Sequence, residues 1–215
     1  MADPGNKFNR KFYTSVEDYQ GYSDNIGLRD EVNKILFKNR TILLSSEINQ
    51  FDATTIAGLF LILNSDNSED PITLIINSPG GEIEGFLAIY DVMQLITAPI
   101  KTIILGDASS AAAMLAAAGS RGLRFATENA HVMIHQMQLD SGGGGTTEVE
   151  VEMKACKKMN KRVLEILSRH VGKSYRKVYL DCKHDKYMTA QEALEYGIVD
   201  EIIMPTKDIP PLKKK

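Results

Sequence analysis

Apolar positions along this chain fall into short continuous runs that alternate with stretches of helical period. Over residues 28–39, Val32, Ile35 and Leu36 share one helical face with charges opposite, and Thr41-Ile42-Leu43-Leu44 follows as a short buried strand. Residues 52–63 place Ile56, Leu59, Phe60 and Leu63 at i, i+3, i+4 and i+7, which predicts a second helix with Asp52 available as its cap. After a polar turn over 64–70, the β-prone run 72–76 ends in Asn77-Ser78-Pro79-Gly80-Gly81 and feeds a helix over 84–95. A third such run, 100–105, enters Gly106-Asp107-Ala108-Ser109-Ser110 and then an alanine-rich segment closed by Gly119, which reads as strand, tight turn and buried helix.

Strand–helix alternation with short turns predicts an α/β fold with a mainly parallel sheet, right-handed crossovers and ligand-binding turns at the carboxyl ends of strands. Further along, 123–126 and 131–135 read as two more short strands, and 150–171 as the longest helix, with Gly172 just past its end. The methionines of that helix read as core filler. Residues 142–145 are four consecutive glycines, read equally as a flexible hairpin or a plain loop. Residues 175–183 form a helix or turn, 185–188 cross to Thr189, and Thr189 with Glu192 makes a capping box for a helix that stops at Gly197. Residues 198–203 read as the last strand. These divisions give a mobile arm over 1–25, one domain over 26–204 and a tail over 205–215.

Composition narrows the function classes. With 215 residues, 43% of them apolar, one domain can bury a sizeable core, and a net charge of −3 from 25 basic and 28 acidic residues implies no nucleic-acid field. Cys156 and Cys182 lack ligand spacing, so no metal or cofactor is expected and a reducing compartment is. Residues 1–22 carry no apolar signal core and no window reaches membrane-span length, so the expectation is a cytoplasmic protein without membrane contact.

The chemistry centres on Ser110. At the start of a helix, a hydroxyl meets unpaired N–H groups and the positive end of the dipole, a setting for an oxyanion beside a nucleophile. Serine also favours that position as a plain cap. His135 closes a β-run and Asp185 follows it, which supplies a base and an orienting acid, although the order Ser, His, Asp by itself proves little.

Five blocks sharpen that choice: Ile76-Asn77-Ser78-Pro79-Gly80-Gly81; Gly106-Asp107-Ala108-Ser109-Ser110; Arg124-Phe125; His131-Val132-Met133-Ile134-His135-Gln136; and Asp181-Cys182-Lys183-His184-Asp185-Lys186-Tyr187-Met188-Thr189 followed by Glu192-Ala193 and Tyr196-Gly197-Ile198-Val199-Asp200. Over residues 40–203 the chain resembles the Clp protease proteolytic subunit family, ClpP, chambered serine peptidases of the crotonase-like fold. The resemblance implies repeated β-β-α and βα units with a helical handle, here over about 137–171. It also implies a nucleophile at Ser110, a base at His135, an acid at Asp185, and oxyanion donors at the backbone N–H groups of Gly81 and Ala111. Heptameric rings stacked as a tetradecamer, polypeptide substrates, an axial role for the arm and an AAA+ unfoldase partner of the ClpX, ClpA or ClpC kind are implied likewise.

Three departures stand out. Ala111-Ala112-Ala113 replaces the family's usual Met-Gly-Ala, Met137 stands where a proline usually follows His-Gln, and the arm before Leu28 lacks the usual pattern. Two other readings stand beside the peptidase: a low-activity structural subunit of a mixed Clp ring, and an acyl-CoA enzyme of the same fold. The intact Ser, His and Asp weigh against both.

Overall fold

The computed structural model describes residues 25–138 and 145–204. Helix α1 (Asn25–Lys38) leads into β1 (Thr41–Leu44), α2 (Gln50–Asp66) into β2 (Ile72–Ser78), and α3 (Ile83–Leu95) into β3 (Ile100–Ser109). Then come α4 (Ala111–Ala117), β4 (Arg124–Thr127), β5 (His131–Ile134), α5 (Thr146–Val171), α6 (Tyr175–Asp181), β6 (Lys186–Thr189), α7 (Ala190–Tyr196) and β7 (Glu201–Ile203). The expectations for the arm, the glycines at 142–144 and the tail over 205–215 lie outside the described residues.

Strands β1, β2, β3, β4 and β7 lie side by side in that order, each neighbouring pair parallel. Ile72, Leu74 and Ile76 are fully buried while Thr73 and Ile75 between them are half-buried, so both faces of β2 are covered, as parallel strands joined by helical crossovers require. Helix α4 is buried along its whole length against β3, α3 and α5. Five of its seven residues are alanine, which lets a helix enclosed on every side pack close to its neighbours.

One strand carries the site. The first half of β3 pairs with β4, Thr102 to Ile104 opposite Arg124 to Ala126, and its last three residues pair with β5, Asp107 to Ser109 opposite His131 to Met133. A bulge makes the switch: against β2 the register jumps from Ile76 opposite Ile104 to Ser78 opposite Ala108. Gly106 takes φ 95° there, and a Cβ on it would sit 2.9 Å from the Asn77 side-chain oxygen that accepts the Asp107 N–H. Glycine is needed both for the conformation and for the space. The sequence pattern ends this strand at Leu105 and spreads a turn over 106–110, whereas the strand continues to Ser109 and the turn is compressed into Ser110.

Other differences are local. Asn49, not Asp52, caps α2: its side-chain oxygen accepts the Asp52 N–H at 2.8 Å, and the Asp52 carboxylate accepts from the Asn49 amide in return. The capping box at Thr189 forms as expected. Residues 186–189, read as a crossing, form β6, and the final strand is limited to β7. Arg124 explains why an Arg-Phe pair sits in a buried strand. Its guanidinium pairs with both Asp200 oxygens and donates to the carbonyls of Ala117, His170 and Gly197, tying the ends of α4, α5 and α7 to β4. Burial would raise the Asp200 carboxyl pKa, but the Arg124 bonds outweigh it and hold that pKa below the usual carboxylate range.

Candidate active site

Ser110, His135 and Asp185 meet because three strand ends meet. β5 lies parallel to β3, so Ser110, one step past β3, reaches the end of β5 and donates its N–H to the Met133 carbonyl at 2.8 Å. β6 runs antiparallel to β5, with His131 opposite Thr189 and Ile134 opposite Lys186. One further step along that ladder sets His135 beside Asp185. Fifty residues of sequence separation thus become direct adjacency through strand register alone.

Ser110 occupies the position before α4, yet its hydroxyl makes no capping bond. The hydroxyl lies instead 2.7 Å from His135 Nε2. Its backbone, at φ 56° and ψ −122°, is left-handed and unfavourable for an L-residue by about 1–3 kcal/mol. Such a sharp strand-to-helix turn lifts a nucleophile clear of the sheet. Gly80 makes room for it: a Cβ there would fall 2.6 Å from the Ser109 carbonyl oxygen and 2.8 Å from Ser110 Cβ. Ser109 is engaged elsewhere, its hydroxyl donating to Asp107 at 2.9 Å.

Gly81 is held by a clamp. Ile48 donates to the Gly80 carbonyl at 2.7 Å and accepts from the Glu82 N–H at 2.8 Å, so the intervening Gly81 N–H faces away from Ile48. Gly81 has φ 148°, and a Cβ would lie 2.2 Å from the Ile48 carbonyl oxygen. Among the described residues, neither the Gly81 N–H nor the Ala111 N–H has an acceptor. Free N–H groups beside a nucleophile can stabilise an oxyanion.

Asp185 Oδ1 lies 3.6 Å from His135 Nδ1, outside hydrogen-bond range, and the carboxylate is half exposed while the imidazole is largely buried. These two residues, with Gln136, Met137, Gln138, Lys183 and His184, line an open cleft of about 830 Å³. A separate cavity of about 390 Å³ between α1, β1 and α2 touches none of the three residues.

Sequence spacing contains no signal for what fastens the histidine loop. Gln136 donates its N–H to the Cys182 carbonyl at 2.7 Å, and Met137 donates its N–H to the Asn160 side-chain oxygen at 3.0 Å. Cys182 itself is buried, with its thiol pKa pushed up to about 12 by burial, then by Asp181, so it is no thiolate nucleophile. Among the described residues no group of three or more His, Cys, Asp or Glu gathers as metal ligands would, and no helix is long and apolar enough to cross a membrane.

A family model described as Clp protease matches residues 27–206. The chain is similar to the ATP-dependent Clp protease proteolytic subunit 2 of Corynebacterium jeikeium (strain K411), with 42% identity over 167 residues, 78% of this chain and 80% of that one. It is also similar to the ATP-dependent Clp protease proteolytic subunit 1 of Bifidobacterium longum (strain NCC 2705), with 40% identity over 168 residues, 78% of this chain and 72% of that one.

Proposed function

The chain belongs to the Clp protease family, and from that premise we propose that it is the proteolytic subunit of an ATP-dependent Clp protease, a serine endopeptidase acting on unfolded polypeptides. The observation that carries the serine mechanism is the 2.7 Å contact between Ser110 Oγ and His135 Nε2 at a strained turn. With His135 protonated on Nδ1, its Nε2 takes the Ser110 proton as the oxygen attacks a peptide carbonyl. The Gly81 and Ala111 N–H groups receive the oxyanion. His135 then returns the proton to the leaving amine, which leaves an acyl-Ser110 for water to hydrolyse. Asp185 holds the imidazole from the Nδ1 side, and its contact shortens to a hydrogen bond when substrate fills the cleft.

Domain and assembly follow the same reading. Residues 26–204 form the peptidase domain, with α5 in the handle over about 137–171. Exposed Val149, Val151 and Met153 on α5, and exposed Phe51, Leu61, Ile62 and Leu95 on α2 and α3, favour burial against other copies. Heptameric rings stacked as a tetradecamer in the cytoplasm, served by an AAA+ unfoldase of the ClpX, ClpA or ClpC kind, account for those faces.

The test is a degradation assay with two substrates. A short peptide should be cut unaided, and a stably folded protein only when an unfoldase and ATP are added. Rapid unaided degradation of the folded protein would overturn the chambered reading, as would a strictly monomeric chain in native mass spectrometry at micromolar concentration.

A further inference from the structure

His135 lies one residue beyond the last paired position of β5, so the sheet holds it from one side only and the residues that follow supply the rest of its backbone support. Two consecutive backbone donors are fastened there, each to a different element. The Gln136 N–H meets the carbonyl of buried Cys182, beside the segment that carries Asp185, and the Gln136 side-chain amide adds a 3.3 Å bond to the Lys183 carbonyl. The Met137 N–H meets Asn160 Oδ1 at 3.0 Å. Of these acceptors only Asn160 is a side chain, supplied by α5 where that helix passes from its exposed first half to the buried run beginning at Val163.

The other side of the ring is less constrained, since Asp185 stands 3.6 Å from Nδ1 and is half exposed. Met137 also occupies a position where the resembled family usually carries proline, whose ring would restrict the backbone without a partner. Methionine leaves the backbone freer and supplies the N–H that Asn160 takes up. We propose that Asn160 is a positioning residue for His135, acting through the Met137 N–H to hold the imidazole against Ser110. The proposal rests on the reading of His135 as the base. It assigns Asn160 no contact with substrate.

The test uses the full chain, a fluorogenic peptide, and the rate at which a fluorophosphonate probe labels Ser110 in the same preparations. Asn160→Ala should lower kcat by about fivefold to tenfold and slow labelling in parallel, with KM within about twofold, because one hydrogen bond acting on the base is lost and substrate contacts are not. Asn160→Asp, which keeps an acceptor oxygen, should return kcat to within about twofold of the native value. In a Met137→Pro background, which has no N–H to offer, Asn160→Ala should change kcat by less than about twofold. The proposal is overturned by native kcat and labelling in Asn160→Ala, by an equal loss in the proline background, or by a loss that Asp does not rescue. Ser110→Ala in the same assay separates the underlying reading: peptide turnover that survives it removes the serine mechanism itself, whatever Asn160 does.

Discussion

Ser109 and Ser110 are adjacent in the chain yet committed to different partners, Ser109 to Asp107 at 2.9 Å and Ser110 to His135 at 2.7 Å. The division falls at the end of β3, where Ser109 is the last residue paired with β5 and Ser110, one step on, reaches His135 just past β5. Ser110→Ala should therefore reduce peptide turnover by roughly 10⁴-fold or more, while Ser109→Ala keeps most of it. Steady-state peptidase kinetics on both variants check this, with native mass spectra to show that assembly is unchanged.

Gly81 tolerates no side chain. At φ 148° with Ile48 across from it, an added Cβ would meet the Ile48 carbonyl oxygen at 2.2 Å, so Gly81→Ala must displace this segment and the N–H proposed as an oxyanion donor. Loss of one oxyanion donor costs on the order of 10²- to 10³-fold in kcat. That fall in kcat, with Ser110 still reaching His135, is the expected outcome. Unchanged kcat in Gly81→Ala would remove Gly81 from the oxyanion site.

His170 sets an acid limit on stability. Its pKa is lowered from 6.5 to about 4, chiefly by burial, then by the charges of Arg124, Arg169 and Arg121, and its ring stands edge-on to Tyr90, with Nε2 3.2 Å from the Tyr90 hydroxyl. Between those two values the unfolded chain binds a proton that the folded chain refuses, so stability is full above about pH 6.5, falls toward pH 4 and then levels. After allowance for solvent screening the loss is on the order of 1–2 kcal/mol, or roughly 5 °C in Tm. The depressed carboxyls of Asp181 and Asp200 act lower, losing their contribution only as pH falls below their ordinary value of 3.8. Thermal melts from pH 7 to 4 on the native chain and on His170→Asn check the assignment, the variant melting with a flatter slope.

Much of this was legible in the residues because it is local. Apolar runs ending in glycine or serine mark β1, β2 and β3, and Thr189 with Glu192 marks the start of α7. What was not legible depends on pairing between distant segments. Residues 186–189 are too polar to announce a strand, and only register against β5 makes them β6 and carries Asp185 to His135. The bulge at Gly106 depends on Asn77 in a neighbouring strand, and the Asn49 cap wins over Asp52 because the helix begins one turn earlier than its apolar period shows. The Asn160 contact joins a helix to a loop 23 residues away, which no periodicity encodes. The catalytic roles proposed for Ser110, His135 and Asp185 rest on five blocks resembling one family, and the Ser110 Oγ to His135 Nε2 distance of 2.7 Å is set by the pairing of distant strands, which no block encodes.

The most direct measurement is labelling of the native chain with a fluorophosphonate serine-hydrolase probe, followed by mapping of the modified peptide. A nucleophile at Ser110 activated by His135 places the label on Ser110, and abolishes it in Ser110→Ala and in His135→Ala. Label on Ser109 would contradict the assignment of the nucleophile to Ser110, and peptide hydrolysis that survives Ser110→Ala without any label would contradict the serine mechanism.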